Sequence, residues 1–177
     1  MLSICGCSSQ QQASMGIKPS EFSKETKEVL ELFDDEIQFF DITLDDSVKS
    51  QSIVIWVYQN GEWNEAGRTE GETKFLSNRI AIRLTENSYD LYTMDENGHI
   101  KYSFPNLTSN FENSTATGGK IIDKEIPLEL NKETPIWFKI GTDKDSMSVG
   151  DIMFNFRQID CNAGIAITLT VSDRIIE

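Results

Sequence analysis

Residues Ile53–Gly67 read IVIWVYQ, then Asn60-Gly61, then EWNEAG, and this stretch decides the fold class. A run dominated by β-branched and aromatic side chains meets Asn-Gly, and a second extended run leaves it. Asn-Gly between two such runs is the strongest short-range hairpin signal, because a type I′ turn needs φ > 0 at both central residues. A two-residue turn there sets Gln59 opposite Glu62, Tyr58 opposite Trp63, Val57 opposite Asn64 and Trp56 opposite Glu65. Side chains alternate along a strand, so Val54, Trp56, Tyr58 and Trp63 share one face and Ile53, Ile55 and Val57 the other. A strand apolar on both faces is usually covered on both. The aromatic face is therefore expected beneath another element. The other reading is an open ligand platform, although exposed apolar patches of that size are uncommon on monomers.

Upstream of the hairpin, the sequence offers one candidate cover. Pro19-Ser20-Glu21 opens a helical pattern with Ser20 as the expected N-cap and Glu21 in the first turn. Phe22, Thr26, Val29, Leu30 and Phe33 fall on one face, with Lys24, Lys27, Glu28 and Glu31 on the other, until Asp34-Asp35 ends the run. This stripe must be buried somewhere, and Trp56, Tyr58 and Trp63 are the expected acceptor. From Glu36 the period becomes strand-like, with Ile37, Phe39 and Ile42–Leu44 forming an extended run.

Downstream, Arg79–Thr85 places Ile80, Ile82 and Leu84 inward and Arg79, Ala81 and Arg83 outward. Ser88–Met94 and His99–Phe104 form a second hairpin at Asn97-Gly98. It groups Leu91 and Thr93 with Ile100, Tyr102 and Phe104, and Tyr92 and Met94 with His99 and Lys101. Residues 105–119 read as a long polar loop. Further strands are expected at 120–126, 135–140, 152–157 and 163–172. The last alternates Ile165, Ile167, Leu169 and Val171 with Ala166, Thr168, Thr170 and Ser172. The whole reads as mainly β: an antiparallel β-sandwich of about nine strands with one N-terminal amphipathic helix.

Composition narrows the function classes. The chain has 177 residues, 38% hydrophobic and 10% aromatic, which fits one folded domain with a short N-terminal extension. A chain of this size buries roughly 70% of its unfolded surface and needs no metal or disulfide to hold a core. The formal net charge of −13 repels phosphate backbones, so no nucleic-acid partner is expected. No transmembrane span is visible, since that needs about 20 consecutive apolar residues. The cysteines are Cys5, Cys7 and Cys161, with no readable disulfide framework. Cys161 precedes an apolar strand and reads as a buried small hydrophobe.

At the N-terminus Ile4, Gly6 and Cys7 match the aliphatic, small and acceptor-cysteine positions of a lipobox, with Cys5 in the middle position. The Ser/Gln-rich stretch from Ser8 to Gln12 follows like a tether. This resembles the end of a bacterial lipoprotein signal peptide of the Gram-positive type. The resemblance implies lipidation at Cys7, a location on the extracellular face of the cell membrane, and contact with that membrane through the lipid anchor only. Two acyl chains hold a protein on a bilayer where one gives marginal binding. Only six residues precede Cys7, fewer than a basic and an apolar signal region need, so the true start is expected upstream of Met1. Residues 1–18 are read as signal-peptide remnant and flexible tether, and 19–177 as the sandwich domain.

Signals for catalysis are weak throughout. The single histidine, His99, is expected on the polar face of a hairpin, and nothing brings Cys161 or a particular serine to it. Zinc-ligand spacing is absent. Asp143-Lys144-Asp145-Ser146, with Asp151 nearby, lacks the glycine and glutamate of an EF-hand loop and reads as a solvated acidic turn. Gly118-Gly119-Lys120 lacks the rest of a phosphate-binding loop. Neither a metal nor a cofactor is expected. Asn106 and Asn113 begin Asn-X-Thr/Ser patterns that read as chance matches in a bacterial chain.

The expectation is a non-catalytic, surface-anchored lipoprotein domain with a glycan or protein partner. A carbohydrate-binding module is the alternative and a hydrolase using paired carboxylates a distant one. The candidate ligand-binding residues are Trp63, Trp137 and Tyr92, since sugar C–H faces stack on rings. The likeness to carbohydrate-binding modules is one of architecture, and fold alone does not carry function.

Overall fold

A computed structural model describes residues 15–32, 36–72, 76, 78–85, 88–105, 111–145 and 151–175. The expected lipidation site Cys7, and the Phe33, Asp34 and Asp35 end of the expected helix, lie outside them, as do Asn106 and Ser146. The chain is mainly β, with two antiparallel sheets. Its strands are β1 Gly16–Pro19, β2 Glu36–Thr43, β3 Ser50–Gln59, β4 Glu62–Glu72, β5 Arg79–Leu84, β6 Ser88–Asp95 and β7 Gly98–Pro105. They continue with β8 Ala116–Ile121, β9 Ile126–Pro127, β10 Thr134–Thr142 and β11 Ala163–Ser172, while helix α1 spans Lys24–Leu30. One sheet runs β7-β6-β5-β2-β1-β9 and the other β4-β3-β11-β10-β8. The architecture is sandwich-like, with eleven described strands where the sequence suggested nine.

The Ile53–Gly67 hairpin forms in the expected register from Gln59↔Glu62 to Trp56↔Glu65, with Asn60 at φ 56° and Gly61 at φ 88°. Beyond Glu65 the ladder resumes at Ile55↔Gly67, so Ala66 is an extra residue on β4. Such a bulge bends and twists β4, which is an edge strand rich in charge, and so discourages pairing with another chain. Ile53, Ile55 and Val57 are buried against Ile165, Ile167 and Leu169 of β11 on the core side of the five-stranded sheet. Ile17, Phe40, Ile42, Ile80, Ile82 and Leu91 belong to the same hydrophobic core from the six-stranded sheet. The Tyr89 and Trp137 rings meet edge-on at 6.0 Å across the two sheets.

The aromatic face of β3 is covered, but not by the helix. Its cover is the 3-10 segment Asp151–Gln158, two turns meeting at a kink at Asn155 (φ −128°, ψ 33°). Phe156, 1% exposed, meets the Trp63 ring edge-on at 4.8 Å, and Trp63 in turn meets Tyr58 at 5.5 Å. Arg157 lies 4.2 Å over the Trp56 ring and gives both guanidinium ends to Glu133 at 2.6 and 2.9 Å. The Trp56 indole N–H and the Thr168 hydroxyl also donate to Glu133, at 2.9 and 2.8 Å. The sequence placed a strand at 152–157 because Ile152, Phe154 and Phe156 alternate. Over so short an apolar run, alternation cannot separate a strand from other extended or turn structure.

The helix is shorter than its pattern suggested. Ser20 does not cap it, because the Ser20 N–H donates to the Phe39 carbonyl at 2.9 Å and its hydroxyl to Asp41 at 2.9 Å, prolonging the β1–β2 ladder. Ser23 takes the capping role, accepting from the Thr26 N–H at 3.3 Å. No residue of α1 is buried, and Val29 is 55% exposed. Phe22 anchors the segment by meeting Phe39 edge-on at 5.0 Å, on the outer side of the six-stranded sheet.

Residues 16–18, expected in the tether, are instead part of β1. That strand sits between β2 and β9, with Ile17 paired to Ile42 and Ile126 and fully buried. Four residues with one buried aliphatic carry too little pattern to announce a strand. Of the expected 105–119 loop, Phe111–Asn113 forms a 3-10 turn and β8 begins at Ala116.

Candidate functional site

The four-strand block β2-β5-β6-β7 lays its outward side chains in three rows. Register places Ile37, Arg83, Asp90 and Ser103 across one row and Phe39, Ala81, Tyr92 and Lys101 across the next. The third row is Asp41, Arg79, Met94 and His99. The second hairpin turns around Glu96-Asn97, one residue earlier than expected, with Asp95 accepting from the Asn97 and Gly98 N–H groups at 2.7 and 3.0 Å. The shift moves each pairing by two residues and so preserves which side chains share a face.

Ala81 makes this face concave. It stands between Phe39 and Tyr92, and its methyl leaves a depression that Leu30 of α1 borders from outside. The resulting cleft, about 380 Å³, is lined by Leu30, Ile37, Phe39, Ala81, Arg83, Tyr92, Met94 and His99. A polar cleft of about 580 Å³ adjoins it through Met94 and His99, with Asp41, Asn78, Arg79 and Asp95 among its walls. The combination of an apolar floor and a few polar groups is what small-ligand sites share.

Each carboxylate in the three rows is paired. Asp90 is 3% exposed and accepts from Lys101 Nζ at 2.8 Å and from the Ser103 hydroxyl at 2.7 Å, with Arg83 at 3.9 Å. Burial pushes its carboxyl up, but these donors and cations outweigh it and hold the group below the usual carboxylate range. Asp41 behaves likewise: burial raises it, while Arg79 Nε at 2.6 Å and the Ser20 hydroxyl lower it further than burial lifts it. Both are therefore held ionised. Arg79 also lies over the Phe22 ring at 5.5 Å, and Lys101 Nζ over Tyr92 at 5.8 Å.

The three aromatic candidates do not come together. Tyr92 lines the cleft. Trp137 is 4% exposed between the sheets and presents no ring face. Trp63 is half-buried beneath Phe156, and its indole N–H is enclosed without an acceptor among the described residues. Cys161 is buried, and burial followed by the neighbouring Asp160 charge pushes its thiol up to about 11, so it stays unreactive at neutral pH. Lys144 of the acidic turn pairs with Asp160, and no three His, Cys, Asp or Glu side chains converge as metal ligands among the described residues.

Sequence reasoning missed Phe39, Ala81, Arg83 and Asp90 as neighbours of Tyr92. The available signal was the outward set Arg79, Ala81, Arg83, in which a small residue sits between two cations. What it lacked was the β2–β5 pairing, which joins segments separated by the whole β3–β4 hairpin. No helix among the described residues is long and apolar enough to cross a membrane. Compared with protein-family models, curated proteins and solved structures, the chain matches none, and its site is read from its own residues.

Proposed function

We propose that this chain is a non-catalytic recognition domain, anchored outside a bacterial cell through lipid on Cys7, that binds its partner on the outer face of the six-stranded sheet. The observation that carries the binding role is the cleft over Ala81, where an apolar floor meets charged groups already committed to one another. Asp41 and Asp90 are held ionised by Arg79 and Lys101. A general acid needs the opposite, a carboxyl raised toward neutral pH. Paired charges on a rigid sheet suit orientation of a ligand better than proton transfer.

Two measurements test this reading. A small-fragment screen read by backbone and methyl NMR should give its shifts at Ile37, Phe39, Ala81, Tyr92 and Met94. Shifts confined to the β3–β4 hairpin or the 151–158 segment would overturn it. For the anchor, expression with its native upstream sequence in a Gram-positive host should place the protein in the membrane fraction. Cys7→Ser should release it into the medium, and an unchanged distribution would remove the lipid claim.

A glycan reading survives at one residue. Tyr92 lines the apolar cleft, which shares Met94 and His99 with the polar cleft of Asp41, Asn78 and Arg79, and an aromatic ring near such groups is how sugars are held. Retention on immobilised glycans that is lost in Tyr92→Ala would favour this reading, and no retention on a broad panel would end it.

A further inference from the structure

We infer that β8 is a docking edge, along which an extended peptide bearing an acidic residue adds as a sixth strand to the five-stranded sheet. This surface belongs to the other sheet from the proposed recognition face and stands independently of it. β8 is the outermost strand of its sheet and pairs with β10 alone. Alternate residues of an antiparallel strand turn their N–H and C=O groups to the partner. The Ile122 N–H does so, donating to the Ile136 carbonyl at 3.2 Å, which fixes the phase along the strand. Gly118 and Lys120 therefore give their backbone groups to β10, while Thr117, Gly119 and Ile121 turn theirs outward. Those three make no backbone bond to another element among the described residues, and no residue of β8 is buried. A row of unpaired backbone groups is a template for one more strand. A cleft of about 330 Å³ follows it from Thr117 to Ile121.

The other three edges offer less. β4 is bulged and charged, β9 has two residues and ends at Pro127, and β7 ends at Pro105 with its Lys101 bonded to Asp90. β8 runs in unbroken register with β10, and a Cβ at Gly119 would lie 2.8 Å from the Phe138 carbonyl oxygen. The ladder itself thus requires glycine there, and the bare position leaves room for a large side chain of the added strand.

Charge chooses the peptide. β8 and β10 contain no Asp or Glu, in a chain with 29 of them, and each carries one lysine. Register puts Lys120 beside Phe138 on one face and Lys139 beside Gly119 on the other. Lys139 lies 5.2 Å over the Phe111 ring, whereas the Lys120 ammonium has no ion pair among the described residues. A carboxylate opposite Lys120 completes a cross-strand ion pair. A second copy does not supply it, because its own β8 offers a lysine and no carboxylate. Long-range repulsion also scales with the product of the net charges, so −13 against −13 opposes self-pairing far more than one surplus carboxylate opposes a peptide. A lysine on an open edge thereby refuses its own copy and selects an acidic partner.

The test uses the ¹⁵N-labelled full chain and three blocked octapeptides in which valine and threonine alternate around a central Glu, Gln or Lys. With the Glu peptide, the amides of Thr117, Gly119 and Ile121 should shift, saturate and gain protection from hydrogen exchange. The Gln peptide should bind about tenfold more weakly, the size of one charge-assisted hydrogen bond, and the Lys peptide should not bind. Lys120→Gln, which leaves the backbone ladder in place, should bring the Glu peptide down to the Gln affinity. The Glu peptide N-methylated throughout should not bind, because it has no N–H to give the edge. Equal binding of the Glu and Gln peptides, a Lys120→Gln variant that binds the Glu peptide unchanged, or full binding of the N-methylated peptide overturns the inference. So does the absence of any shift at millimolar peptide, or protection of the Thr117, Gly119 and Ile121 amides in the chain alone. A dimer in sedimentation equilibrium that protects the same amides without peptide overturns it in favour of a second copy.

Discussion

A Cβ on Gly164 would lie 2.5 Å from the Trp63 ring and 3.2 Å from the Tyr58 Cβ. The missing side chain is therefore what lets the hairpin indole settle onto β11 beneath Phe156. Gly164→Ala should destabilise the fold by about 1–3 kcal/mol, the usual cost of overpacking a fitted site. Urea unfolding followed by tryptophan fluorescence would show the lower midpoint. Adding Trp63→Leu should recover part of the loss, because the leucine leaves room for the methyl. An undiminished midpoint in Gly164→Ala would mean that Trp63 is not held against β11. Glu133 fixes the same cover from the other end. Burial raises its carboxyl, but donors from Arg157, Thr168 and Trp56 bring it below the ordinary range, so it stays charged and keeps Arg157 stacked on Trp56.

At the scale of elements, a four-residue strand outweighs the one α-helix among the described residues. β1 sits inside the six-stranded sheet, bonded to β2 on one side and β9 on the other, and it buries Ile17 completely. The helix α1 buries nothing and leans on the sheet through Phe22. Ile17→Ala should cost about 2–5 kcal/mol, as large-to-small changes in cores do. Val29→Ser should change stability by less than about 0.5 kcal/mol. Truncation gives a sharper version. A chain beginning at Met15 should fold, whereas one beginning at Ser20 should lose cooperative unfolding, because it leaves Phe40 and Ile42 of β2 beside an open slot. If the Ser20 truncation keeps the full-length midpoint, β1 is dispensable and the placement of Ile17 in the core is wrong.

These two elements also mark what the sequence could and could not announce. The Asn60-Gly61 hairpin was legible because its information is local: a turn needing positive φ and two runs of strand period. The demand that both faces of β3 be covered was legible too, since Trp56 and Tyr58 alternate with Ile55 and Val57. Which element supplies the cover was not. An amphipathic stripe running from Phe22 to Phe33 looked like the better lid than the 151–158 segment, and only tertiary pairing separates them. The cleft suffered in the same way. Tyr92 could be named from its place in a hairpin, but its neighbours Phe39 and Ala81 come from strands whose pairing spans the β3–β4 excursion.

For the molecule as a whole, acid acts through two opposed effects that differ in their response to salt. Asp41, Glu65, Asp90 and Glu133 all have carboxyls lowered in the folded state, by donors and cations that outweigh burial or, at Glu65, exceed it from the start. A carboxyl lowered on folding contributes stability that is fully present above its unfolded value, about 4, and is lost as pH falls through the folded value. Against this stands the formal net charge of −13, whose self-repulsion weakens as exposed carboxylates take up protons. At low ionic strength the urea midpoint should therefore rise slightly from pH 7 to about pH 5, then fall steeply below about pH 4. In 0.5 M salt, where the screening length is only several ångströms, the rise should vanish. The fall should persist, because a pair such as Asp90–Lys101 has one partner almost wholly out of water. Asp90→Asn should lower the midpoint at pH 7 and make the acid limb shallower. If the acid limb instead flattens with salt as the rise does, these carboxylates act only through the overall charge. The ion pairs on the outer face of the six-stranded sheet would then contribute nothing to holding it together.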